Sequence, residues 1–199
     1  MATALEFTKT IKILFELYWR CAIMNSKYCK GDDKMIKYDK IYKLRRIAQS
    51  FRDAIDAAKA NREHYIFFDK FPTGQCGHTA ELLAKHLSSK GYSKMTYETG
   101  VYYWDDFDCN PDHEPQQHTW LVVDGLIIDI TGDQFKYYDE PVKNDIPVYV
   151  GPKTPFFELF EVHPYGRYET NGYSLSDPMG KDLDKWYHVI MKYLPENER

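Results

Sequence analysis

The chain has 199 residues, 43% of them hydrophobic, and a formal net charge of −4. That suffices for one domain with a sizeable core, and it argues against global disorder and against general nucleic-acid binding. Aromatics reach 16%, including 17 Tyr, which favours strands and aromatic walls as well as core.

Taken in order, residues 4–23 are expected to form a helix, with Leu5, Ile11, Leu14, Phe15, Tyr18 and Trp19 at helical spacing. The apolar start "IKILFELYW" contains Lys12 and Glu16 and lacks a small-residue cleavage site, so no secretory leader is read. No uncharged apolar run is long enough to span a membrane. Cys21, Cys29, Cys76 and Cys109 fit no CxxC zinc or redox spacing. A reducing, cytoplasmic setting with free thiols and no membrane partner is therefore expected.

"NSKYCKGDDK" is a polar break. A second helix is expected from about Met35 to Arg62, with Ile41, Leu44, Ile47, Ala48, Phe51 and Ile55 on one stripe and a basic, solvated opposite face. "FFDKFPTG" leads into a third helix from Cys76 to Lys90, stopped by Gly91. "MTYETGVYYW" reads as a strand, and Asp105–Gln117 as an acidic loop that lines a cleft or simply connects. "HTWLVV" and "LIIDIT" read as a hairpin around Asp124-Gly125. Further strands are expected at "IPVYVG" and "FELFEVH", with "YGRYETNGYSLS" as a loop. Asp177-Pro178 resembles a cap and first turn for a last helix that runs to about Leu194. The order predicts one α+β domain, 1–199, with a helical part over 1–65 and a core of helix on mostly antiparallel sheet over 66–199.

A two-residue turn at Asp124-Gly125 sets the facing of the hairpin. Val123 then opposes Leu126, and Trp120 opposes Asp129. His118, Trp120, Val122, Ile127, Asp129 and Thr131 share a mixed face. Thr119, Leu121, Val123, Leu126, Ile128 and Ile130 share an apolar one. His118 lies diagonally from Asp129, close enough for the carboxylate to orient the imidazole.

Cys76 opens its helix on the stripe Cys76, Ala80, Leu83, Leu87. If that stripe packs on the mixed face, Cys76 meets His118. A thiol at a helix N-terminus beside an imidazole is activated as thiolate. Gly74 and Gly77 leave backbone N–H groups open to a substrate oxygen. Gln75 and Gln134 are candidate oxyanion donors or substrate contacts, or a helix cap and a solvated side chain. Asp133 is a rival orienter. His78 and His86 read as surface or boundary residues. Cys109, His113 and His118 have metal-ligand chemistry but lack a fourth ligand, so no metal site is read.

"GQCGHTAELLAKHL", then "HTW", then "IIDIT" with Gln134 behind it, resemble the transglutaminase-like branch of the papain-like cysteine superfamily. The resemblance covers about Phe71 to Phe135. It implies a papain-like, transglutaminase-like α+β fold with extra N-terminal helices. It implies a triad of Cys76, His118 and Asp129, with Trp120 and Thr131 as companions and no metal or other cofactor. Substrate-side residues would be Gln75, Gly77, Trp120 and Gln134. The expected activity is cysteine-dependent acyl transfer, most simply hydrolysis of an amide in a peptide, protein side chain or small molecule. A protein-modifying transferase and an inactive cleft that only binds are the alternatives. Oligomeric state is not read from the sequence.

Overall fold

The computed structural model describes residues 31–63, 65–104 and 114–199, with side chains from residue 38 onward. The expected helix over 4–23 and Cys21, Cys29, Cys109 and His113 lie outside the described residues. The fold below is that of the unit Lys40–Arg199.

The first described helix, α1 (Gly31–Ala60), enters this unit at Lys40. Ile41, Leu44, Ala48, Phe51, Ile55 and Ala58 are buried, so the stripe read from the sequence is the packed one. The short α2 (Ile66–Lys70) buries Phe67 and Phe68. Then come α3 (Cys76–Ser89), β1 (Met95–Tyr102), β2 (Gln116–Val123) and β3 (Leu126–Asp129). A 3-10 turn (Gly132–Phe135), β4 (Tyr149–Gly151), the helical turn α4 (Pro155–Glu158), β5 (Glu161–Thr170) and α5 (Gly180–Tyr193) complete the main elements.

The strands form one five-stranded sheet in the order β4-β3-β2-β1-β5, and every pairing is antiparallel. Asp124 and Gly125 both take positive φ, 49° and 75°. That is the turn that matches strand twist in a two-residue hairpin. It fixes Val123 opposite Leu126 and Leu121 opposite Ile128, so the two hairpin faces are those the sequence indicates.

Each face of the sheet is buried differently. Leu121, Val123, Leu126 and Ile128, with Met95 and Val150 beside them, pack in one apolar core with α1, α2, α3 and α5. The opposite face carries Trp120, Ile127 and Tyr149. It is covered by Phe157 and Phe160 from α4 and the residues after it, with Trp120 and Phe157 rings 5.2 Å apart.

Three expectations change. "FELFEVH" is not one strand: Pro155 starts a helical turn, and the β-structure begins only at Glu161. The strand then runs on through the Pro- and Gly-containing stretch read as a loop, because β1 supplies its partners, Tyr97↔Tyr168 and Glu98↔Arg167. Proline is tolerated there because β5 is an edge strand. The last helix starts at Gly180 rather than Asp177, whose carbonyl accepts the Gly180 N–H at 2.9 Å in a preceding turn.

Candidate functional site

Cys76 is the first residue of α3, after Gln75. The Thr79 N–H closes the first turn onto the Gln75 carbonyl at 2.9 Å. The N–H groups ahead of it have no intrahelical acceptor, and their partial positive charge lies beside the thiol. Gln75 does not face that space, because its side-chain oxygen is 3.0 Å from Nδ1 of His78.

His118 sits on β2 with no solvent exposure. Its Nε2 is 2.8 Å from Oδ2 of Asp129, and both side chains are shielded from water. The other carboxylate oxygen accepts the Thr131 N–H at 2.8 Å and the Thr131 hydroxyl at 3.0 Å. This is why a threonine two residues past the aspartate matters: it fixes the carboxylate rotamer. Phe135, Phe160 and Trp120 enclose the imidazole at centroid distances of 5.2, 5.6 and 5.7 Å. Gln134 joins the two halves of the site. Its Nε2 is 2.8 Å from His118 Nδ1, and its Oε1 accepts the Gly74 N–H at 3.3 Å.

Burial alone would push the Cys76 thiol up. Hydrogen bonding and charge from His118, with hydrogen bonds from Thr119 and Gln134, outweigh it, so the thiol titrates below its ordinary value. Burial alone would push His118 down. The charge and hydrogen bond of Asp129, then the contribution of Cys76, raise it to about 9. The two directions belong to one coupled pair, and both shifts lean toward thiolate beside imidazolium.

The route by which Cys76 reaches His118 differs from expectation. Ala80, Leu83 and Leu87 pack with Leu121, Val123 and Ile128, which is the apolar face of the hairpin and not the mixed one. The apolar stripe buries itself on the apolar strand face, as transfer free energy favours. Thr119 shares that face and approaches the sulfur directly. His118 is met past the end of the β2–β3 ladder, whose last pair is Leu121↔Ile128.

Of the remaining candidates, Gly77 lines a cleft of about 780 Å³ together with Cys76, Tyr97, Thr99, Thr119 and Tyr168. Trp120 does not line it. Trp120 is 1% exposed, donates its indole N–H to Glu98 at 3.1 Å, and braces His118 from behind. Asp133 is not the orienter, because Arg52 holds it in a two-pronged ion pair with both distances 2.8 Å. His78 is half-buried, whereas His86 is fully buried in the helical core.

Arg52 is the residue the sequence reading overlooked. It also donates to the carbonyls of Ile130 and Pro147, at 2.9 and 3.2 Å, and so anchors the segment that carries Asp129 and Gln134. A signal was present: Arg52 falls four residues after Ala48 and three before Ile55, on the buried stripe. A charge at such a position needs a buried partner.

Among the described residues no helix is long and apolar enough to cross a membrane, and no cluster of potential ligands has the makeup of a metal site. No protein-family model, no curated protein and no solved structure matches the chain.

Proposed function

We propose that the chain is a cysteine-dependent acyl-transfer enzyme with a papain-like, transglutaminase-like core, and that it hydrolyses an amide. The observation that supports this most is the fixed line Asp129, His118, Gln134, with the Cys76 thiol brought below its ordinary value beside it.

The Cys76 thiolate attacks the carbonyl carbon, forming a C–S bond as the carbonyl electrons move onto oxygen. N–H groups at the start of α3 stabilise that oxyanion. The oxyanion collapses, the C–N bond breaks, and His118 gives its Nδ1 proton to the departing amine. Asp129 keeps the imidazole in place and offsets its charge throughout. Water, deprotonated by the now neutral His118, then cleaves the thioester. The Gln134 NH2 donates to a neutral Nδ1; facing an imidazolium with the amide oxygen takes half a turn of the amide, which releases the Gly74 N–H. A reducing, cytoplasmic setting, which keeps Cys76 a thiol, belongs to the same proposal.

The test is acylation by p-nitrophenyl acetate. A burst of one equivalent of nitrophenolate with an acetyl group on Cys76, abolished in Cys76→Ala and slowed in His118→Gln, is the expected result. No burst and an unmodified Cys76 would sink the reading and leave a cleft that only binds. Incorporation of an amine into a glutamine-containing acceptor would point to a transferase.

A further inference from the structure

We infer that the cleft beside Cys76 takes a cationic group, an ammonium or guanidinium carried on the acyl donor, and that Glu81 is its counter-charge. This rests on the reading of Cys76 as the nucleophile and adds a substrate class to it.

Among the described residues the carboxylates lining the cleft are Glu81, Glu169 and Asp177, and no lysine or arginine lines it. Among the described residues none of the three is paired with a cation. Burial lowers the pKa of His78, the one histidine on the lining, which keeps it neutral. Lys85, four residues after Glu81 on α3, makes no ion pair among the described residues and lies over the ring of Tyr173 at 5.6 Å. Arg167 pairs with Glu98 on the other face of the sheet.

Glu81 is also held ready. The Tyr168 hydroxyl donates to one of its oxygens at 2.9 Å and the Thr170 hydroxyl to the other at 3.2 Å. These neutral donors fix the carboxylate and leave its charge and remaining lone pairs uncompensated. Tyr97 and Tyr168 stack at 4.7 Å and form the wall beside it, and tyrosine faces favour cations over anions. Glu81 lies five residues after Cys76 on α3, about 7.5 Å along the axis. That distance suits a side chain next to the attacked carbonyl rather than the reacting group itself.

The experiment uses methanethiosulfonate reagents of opposite charge on the full chain. Labelling of Cys76 by the trimethylammonium-ethyl reagent is compared with labelling by the sulfonato-ethyl reagent, read by peptide mass spectrometry. Neutral iodoacetamide serves as reference. The expected result is a cation-over-anion rate ratio that falls about three- to tenfold in Glu81→Gln, each rate being taken relative to the iodoacetamide rate of the same variant. Glu98→Gln, across the sheet, leaves the ratio intact. If Glu81→Gln does not fold, Asp177→Asn on the same lining is expected to lower the ratio by a smaller factor. An unchanged ratio in Glu81→Gln, or an equal fall in Glu98→Gln, would overturn the inference. A Glu81-dependent ratio at a Cys76 no more reactive than glutathione would keep the cation site and reject the nucleophile.

Discussion

Arg52→Ala tests how the fold holds the catalytic line. In the native chain Arg52 and Asp133 have side chains only 8% and 17% exposed, joined by two bonds of 2.8 Å. Removing the guanidinium leaves Asp133 with little water and no counter-charge, and strips donors from the carbonyls of Ile130 and Pro147. Its contact with Asp56 matters less, since that carboxylate is 48% exposed. Breaking a buried pair costs about 3–5 kcal/mol, and the partial exposure of Asp133 puts this case near 3. For a chain of this size that lowers Tm by about 6–12 °C. Urea unfolding of wild type, Arg52→Ala, Asp133→Ala and the double variant gives the coupling directly. Because the segment also carries Gln134, Arg52→Ala slows alkylation of Cys76 as well. A loss under about 1 kcal/mol, or single variants whose effects simply add, would refute the reasoning.

The other expectations follow from single contacts. His86 has no solvent exposure, stacks on Phe51 at 5.0 Å, and its Nε2 has no partner. Burial chiefly, then the nearby Lys90, lowers it to about 4, with Glu198 opposing. Below about pH 6.5 the unfolded chain takes a proton that the native one refuses, so stability is full above that value. It falls between pH 6.5 and 4, by at most about 3 kcal/mol. His86→Leu should flatten this acid limb in urea titrations; an unchanged limb would assign it elsewhere. His118 has the opposite sign. Raised to about 9, it adds stability below pH 6.5 that is lost as pH rises through 9, and His118→Gln should remove that alkaline loss. Gly132→Ala places a Cβ 2.9 Å from Oδ2 of Asp129 and 2.7 Å from Nδ2 of Asn144. It should lower p-nitrophenyl acetate turnover by about tenfold or more, since displacing an orienter misplaces the base. Wild-type turnover would show that the aspartate tolerates the shift.

The hairpin and its register were legible in the sequence because Asp124-Gly125 admits few other geometries and the alternation on either side is clean. The same logic placed His118 near Asp129. The packing partner of the Cys76 stripe was misread, since periodicity shows that a face is buried but not against what. β5 was misread for a similar reason: its pairing comes from β1, remote in sequence, and outweighs the local signals of Pro164 and Gly166. Arg52 and Glu81 were overlooked because each acts through partners far along the chain, Asp133 and Tyr168. The place of Arg52 on a buried stripe calls for a partner, but nothing within a few residues of either side chain says which one.

The central claim is that His118 holds Cys76 as a thiolate. It is tested most directly by the pH dependence of iodoacetamide alkylation at Cys76, followed by mass spectrometry in wild type and His118→Gln. The account predicts that the wild-type rate stays high well below pH 8.5, where an ordinary thiol is mostly protonated. In the variant the midpoint should move up to or beyond that value. Matching wild-type and variant profiles, both with an ordinary thiol midpoint, would contradict it.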